Sequence, residues 1–152
     1  MGIVEDRNYQ PLGPEDPDDY RPNSQIAFVI DPTVEDGKYV RTLGFIFEEC
    51  APGDYIPLHT HTFDEAIVID EGTADVRLGN ETRVVGPGAV VFVPAGMPHA
   101  WGNPGPSLLR AHGVFPSDVL NGEYLERNPA PGTEGDPPQP PFSLDLREME
   151  AG

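Results

Sequence analysis

Proline or glycine interrupts this chain every few residues, so no segment sustains the 3.6-residue apolar period of a long helix. The 152 residues include 19 prolines and 17 glycines. Short apolar runs lie between these breaks, the pattern of an all-β domain made of short strands and tight turns. The expected strands are residues 25–30, 38–49, 64–70, 73–78, 81–85, 89–94, 99–103 and 107–115. Asp36 and Gly37 make a turn before the second, Glu71 and Gly72 a tight hairpin, and Gly79 and Asn80 a further turn. Such strands at regular spacing predict a sandwich or barrel.

The length suits one domain with a sizeable core. Residues 1–24 read as an acidic, proline-rich N-terminal arm, with PEDPDDY at 14–20. Residues 25–116 read as the barrel and 117–152 as a proline-rich C-terminal extension. The tract 128–141 cannot enter a sheet interior. The segment from residue 142 onward suits a short helix or an edge strand.

With 26 acidic and 9 basic side chains the formal net charge is -17. That balance argues against nucleic acid or an anionic membrane as partner, since both reward Lys and Arg. No apolar run approaches the roughly 20 residues a bilayer span needs. Cys50 is the single cysteine and cannot form an intrachain disulfide, which suits a reducing, cytoplasmic compartment. With no base adjacent in sequence, it reads as a packed strand residue.

His59 and His61 are two apart, so on an extended strand both imidazoles share one face. Glu65 keeps that parity, provided the strand resumes after a loop. Pro94, Gly96 and Pro98 shape a turn that would bring His99 to the same place. Imidazole and carboxylate together suit one divalent transition metal ion. Fe and Mn come first, and Zn, Ni, Co and Cu are compatible. A calcium site would call for oxygen ligands instead. Three His and one Glu on an octahedral ion leave two positions for substrate, or for substrate and dioxygen.

The two stretches resemble the paired signatures of the cupin superfamily, G-x5-H-x-H-x3-E-x6-G and G-x5-P-x-G-x2-H-x3-N. The matching residues are Gly53, His59, His61, Glu65 and Gly72, then Gly88, Pro94, Gly96, His99 and Asn103. The resemblance implies a cupin-type jelly-roll β-barrel with His59, His61, Glu65 and His99 as metal ligands. It implies no single reaction, because the family spans dioxygenases, decarboxylases, isomerases, cyclases, lyases and binding proteins.

Parity with the ligands brings Phe63, Ile67 and Trp101 to the wall of an apolar substrate pocket. Tyr39, Arg41, Arg110 and His112 lie on mixed faces that would reach the pocket if turned inward. An inward Arg would bind a carboxylate or enolate, and Tyr39 or His112 would be a general base beyond the ligands. The leading expectation is a dioxygenase for a small oxygen-bearing substrate, with Glu65 both ligand and detachable base. The alternatives are non-redox isomerisation, cyclisation, decarboxylation or elimination, and non-catalytic binding of a small molecule. Uncovered strand edges predict a homodimer.

Overall fold

The computed structural model describes residues 2–12, 17–33 and 37–149. Asp36 of the expected turn, residues 14–16 of the acidic stretch and the extreme termini lie outside the described residues. The elements are β1 (Gln10–Pro11), β2 (Gln25–Val29), β3 (Gly44–Cys50), β4 (Tyr55–Thr60), β5 (Glu65–Glu71) and β6 (Ala74–Leu78). Then come β7 (Glu81–Val85), β8 (Val90–Val93), β9 (His99–Gly102), β10 (Leu109–Phe115), β11 (Val119–Tyr124), β12 (Phe142–Asp145) and α1 (Leu146–Met149).

The strands form two antiparallel six-stranded sheets, in the orders β1-β2-β3-β10-β5-β8 and β12-β11-β4-β9-β6-β7. This is the all-β jelly roll that the sequence predicts. The inner faces follow from alternation: on β10, Leu109, Ala111, Gly113 and Phe115 are buried, while Arg110 is exposed and His112 and Val114 are half-buried. One core cluster joins Cys50, Ile56, Ile67, Ile69, Val76, Val93, Trp101 and Leu109; a second joins Ile30, Phe115, Leu120 and Leu146. Each such side chain contributes about 1.5–3 kcal/mol by burial. An exposed pair such as Arg77–Glu126 contributes about 0–1 kcal/mol, so the cores hold the barrel.

Three differences from the expected strands have physical causes. The second expected strand, 38–49, pairs only over Gly44–Cys50, because its neighbour β2 stops at Val29, opposite Phe45. Residues 40–43 are left exposed. β4 is a strand despite Pro57, because the pairing with β9 shifts register between Ile56 and His59 and the missing N–H costs no ladder bond. β11 and β12 come from beyond residue 116, and β11 pairs with β4 through Glu123–Thr60 and Tyr124–His59. The segment from residue 142 supplies both an edge strand, β12, and the short helix α1.

The arm and the tail are tied to each other. Asp18, fully buried, accepts from Arg127 Nε at 2.8 Å and from the Gln139 backbone N–H at 2.8 Å. The Tyr20 N–H donates to the Asn128 carbonyl, and the Asn128 N–H to that of Asp18. Among the described residues, no helix is long and apolar enough to cross a membrane.

Candidate metal centre

His59 lies on β4, His61 just past its end, His99 at the start of β9 and Glu65 at the start of β5. The second sheet therefore supplies the imidazoles and the first sheet supplies the carboxylate. His59 and His99 are direct cross-strand partners, with ring centroids 4.1 Å apart. One ligand atom from each of His59, His61 and His99 lies within 4.8 Å of the others. Glu65 Oε2 is 3.3 Å from His61 Nε2 and 3.4 Å from His99 Nε2. All four side chains are buried.

The backbone sets the histidine tautomers. Nδ1 of His59 bonds the Pro57 carbonyl at 2.8 Å, and Nδ1 of His99 bonds that of Met97 at 2.9 Å. Nδ1 of His61 bonds the carbonyl of Asn121 on β11. A carbonyl only accepts, so each Nδ1 carries a proton and Nε2 is the ring nitrogen turned to the centre. Burial, followed by the neighbouring His99 and His61, lowers the pKa of His59 from 6.5 to about 3. Burial would raise that of Glu65, but His61 and His99 beside it prevail and hold it at about 2. His59 is thus neutral and Glu65 ionised at neutral pH, the states in which they ligate a metal.

Glu65 Oε2 and His99 Nε2 are the buried side-chain atoms left without a hydrogen-bond partner among the described residues. A buried carboxylate oxygen and a ring nitrogen 3.4 Å apart are costly to leave unpaired, and a proton or a cation between them removes that cost. The donor set of imidazole nitrogens and one carboxylate fits a divalent transition ion.

Neighbouring residues fix this arrangement. The Gly96 N–H donates to the His61 carbonyl at 2.8 Å, and the Ala95 N–H donates to Asp64 Oδ1 at 2.8 Å. Asp64 therefore anchors the 94–98 turn. Asn103, fully buried, donates to the carbonyls of Cys50 and Ser107 and accepts from the Gly105 N–H, each at 2.8 Å. Gly72 has a φ of 81°, and a Cβ there would stand 2.5 Å from the Leu108 carbonyl oxygen, so glycine is required at that hairpin.

The donors open onto a cavity of about 280 Å³. Ile67 and Trp101 line it as expected, with Phe28, Ile46, Leu120 and Phe142 among the other apolar walls. Of the remaining expected pocket residues, Phe63, Tyr39, Arg41 and Arg110 lie elsewhere, and His112 only borders the cavity. Phe63 stacks on His61, with centroids 5.0 Å apart and planes 5° from parallel, and on Phe115 behind it. Strand parity fails for it because β4 ends at Thr60. Tyr39 and Arg41 fall in the segment that β3 leaves unpaired; the Tyr39 hydroxyl is 3.3 Å from Asp118 Oδ2 and Arg41 is exposed beside the Tyr39 ring. Arg110 is on the outer face of β10, beside Glu49 and Glu71. His112 borders the cavity, but its imidazole bonds Asp70 at 2.6 Å and stacks on Phe47, on that outer face.

Three charged residues that the sequence reading passed over also line the cavity: Asp19, Arg21 and Glu48. Arg21 donates to both oxygens of Asp19, at 2.9 and 2.8 Å, and to Glu48 Oε2 at 3.3 Å. Burial alone would lower the Arg21 pKa, but Glu48 and Asp19 raise it overall. The Glu48 pKa is raised, chiefly by burial, with Arg21 opposing. The alternation of β3, which buries Glu48 between Ile46 and Cys50, is the sequence signal that marks Glu48 as inward.

The two-sheet barrel and its inward donors define a small jelly-roll domain with a cluster of side chains that could hold a metal ion. Residues 46–115 match the family model for the cupin domain, and the barrel has the cupin fold. Solved structures with a similar fold include a mutant oxalate decarboxylase from Bacillus subtilis, with a TM-score of 0.57 and 20% identity over 67% of this chain and 28% of that one. A cupin-like protein from Thermotoga maritima has a TM-score of 0.52 and 19% identity over 68% of this chain and 77% of that one. The cupin domain of Cnp3 from Schizosaccharomyces pombe has a TM-score of 0.54 and 16% identity over 72% of this chain and 68% of that one. The chain thus spans little more than a quarter of the oxalate decarboxylase it resembles. At these identities the likeness establishes the fold. No curated protein matches the sequence.

Proposed function

We propose that this protein is a metal-dependent enzyme acting on a small, largely apolar organic molecule that carries one or two oxygen atoms. The convergence of His59, His61, Glu65 and His99 on one wall of a small apolar cavity supports this reading most strongly. Bound there, a divalent transition ion would supply a Lewis acid and, as Fe or Mn, a partner for dioxygen. The protein's own residues orient the donors through backbone carbonyls, enclose the substrate with Ile67, Trp101 and Phe142, and exclude water.

Dioxygenase chemistry is the first form of this proposal, because four protein donors leave an octahedral ion room for substrate and dioxygen. Oxygen uptake that tracks substrate loss in Fe-loaded protein is the test; full turnover under anaerobic conditions would exclude it. The second form is non-redox proton transfer, favoured by the inward carboxyl of Glu48, which neither Tyr39 nor His112 matches in position. Unchanged turnover with zinc in place of iron would select it.

A homodimer and a cytoplasmic setting belong to the same proposal. Phe92 and Val90 on edge strand β8 are 72% and 47% exposed, an apolar edge that a second copy would cover. Light scattering at micromolar concentration tests this, and a monomer counts against it.

A further inference from the structure

The cavity has a second polar wall that the metal centre does not use. Glu48 points inward from β3, and its Oε2 takes a bond from Arg21 Nη1. Among the described residues, no hydrogen bond from the protein reaches Oε1. Neutralising Arg21 does not require Glu48, because Asp19 already engages that guanidinium through both oxygens. A second carboxylate in the interior, held by one 3.3 Å bond, is costly as structure alone.

The strand between the two carboxylates leaves the space open. β10 lies between β3, which carries Glu48, and β5, which carries Glu65. Its inward residues at this level are Ala111, the cross-strand partner of Glu48, and Gly113, the partner of Ile67. With one side-chain carbon and none, they do not fill the gap. Two strand spacings of about 4.8 Å set β3 and β5 roughly 10 Å apart; the Glu65 carboxylate lies over Gly113, and the space over Ala111, beside Glu48, is left to the cavity of about 280 Å³.

We propose that Glu48 is the proton-transfer residue of this cavity: its free Oε1 removes a proton from a substrate whose oxygen atoms are held at the His59, His61, Glu65 and His99 centre. The proposal rests on the cavity being a substrate site. The new bond is Oε1–H, the bond broken is a C–H beside a carbonyl or a phenolic O–H, and the electron pair stays on the substrate. Return of the proton, at the same or a neighbouring atom, regenerates the carboxylate without any oxidant. The substrate class is therefore an enolisable carbonyl compound or a phenol with an apolar body. Arg21 and Asp19 are positioning residues that hold Oε2 and leave Oε1 turned to the substrate. The raised pKa of Glu48 suits such a role, since a stronger base takes a proton more readily.

The test uses the zinc-loaded 152-residue chain and α-hydroxyacetophenone, which offers two oxygens, an enolisable carbon and an apolar ring. Calorimetry measures binding of the probe, elemental analysis measures zinc, and proton NMR in D2O follows exchange at the α carbon. Wild type is expected to bind the probe and exchange it. Glu48→Gln is expected to bind zinc and probe unchanged and to exchange about 100-fold more slowly. Equal exchange rates in the two proteins, or binding by wild type with no exchange, would overturn the proposal. Should the Gln variant unfold, Glu48→Asp keeps the charge beside Arg21 and retracts the oxygens by one methylene. It is expected to retain zinc and to exchange more slowly than wild type, and exchange at the wild-type rate would overturn the proposal equally. Failure of wild type to bind zinc or the probe is a separate result: it removes the substrate-site reading itself, and this proposal with it.

Discussion

Gly113 and Glu65 face each other across two paired strands so closely that a Cβ at Gly113 would stand 2.5 Å from Glu65 Oε1. The glycine leaves room for the carboxylate to lie flat against β10 and reach His61 and His99 with its other oxygen. Gly113→Ala therefore tests the position of Glu65 without removing any donor. The clash falls on the end of a side chain, so the carboxylate moves and the backbone stays. Restricting the unfolded chain favours Ala by about 0.4–1 kcal/mol, which offsets the cost in stability. The expected outcome is a melting temperature close to wild type in the metal-free protein and metal affinity reduced at least about tenfold, the effect of disturbing a ligand's support. Metal titration with wild-type affinity would show that Glu65 does not need its observed position.

Asn103 carries stability rather than chemistry. Its side chain donates to the Cys50 and Ser107 carbonyls and accepts from the Gly105 N–H, at the junction between β9 and β10. Asn103→Ala leaves these groups without partners in a buried setting and is expected to cost about 3 kcal/mol in urea denaturation. A loss under about 1 kcal/mol would mean that water replaces the side chain.

The metal-free protein should weaken in acid. His59 stays neutral in the folded state down to about 3, whereas the unfolded chain takes up the proton near the ordinary value of 6.5. The unfolded state then binds more protons, so stability falls as pH drops below about 6.5 and reaches its full loss near 3. Glu65, held at about 2 against an ordinary 4.5, adds a loss that begins near 4.5 and continues toward 2. Both run in the same direction. Melting temperatures of the apoprotein from pH 7 to pH 4 should fall, and His59→Gln should flatten the upper part of that fall. A flat profile in wild type would contradict the neutral, buried state of His59.

The four candidate metal donors were readable because the pattern that places them is local. His59 and His61 are two residues apart on one strand end, Glu65 opens the next strand, and a Pro-Gly-Pro turn delivers His99. The face of β10 was readable for the same reason, from simple alternation. What lines the cavity opposite the donors was not. Arg21 enters from an acidic arm whose composition resembles a solvated tail, and Glu48 sits in a Glu-Glu pair of which one member is buried and the other half-buried. The period-2 alternation that puts Glu48 on the face of Ile46 and Cys50 separates them, and it shows only once the strand's inner face is known. Phe63 lies past the end of β4, where strand parity no longer applies, and Tyr39 and Arg41, expected at the pocket only if their face turned inward, precede the paired part of β3. β11 had no local signal that it would pair with β4, yet its Asn121 carbonyl fixes the tautomer of His61.

We propose that the four buried donors, His59, His61, Glu65 and His99, hold one metal ion. Elemental analysis of protein purified without a histidine tag, beside a His99→Ala control, tests it most directly. Near-stoichiometric transition metal in wild type, lost in the control while the fold persists by circular dichroism, is the predicted result. No metal in wild type, even after incubation with Fe, Mn, Zn, Ni, Co and Cu salts, would contradict it.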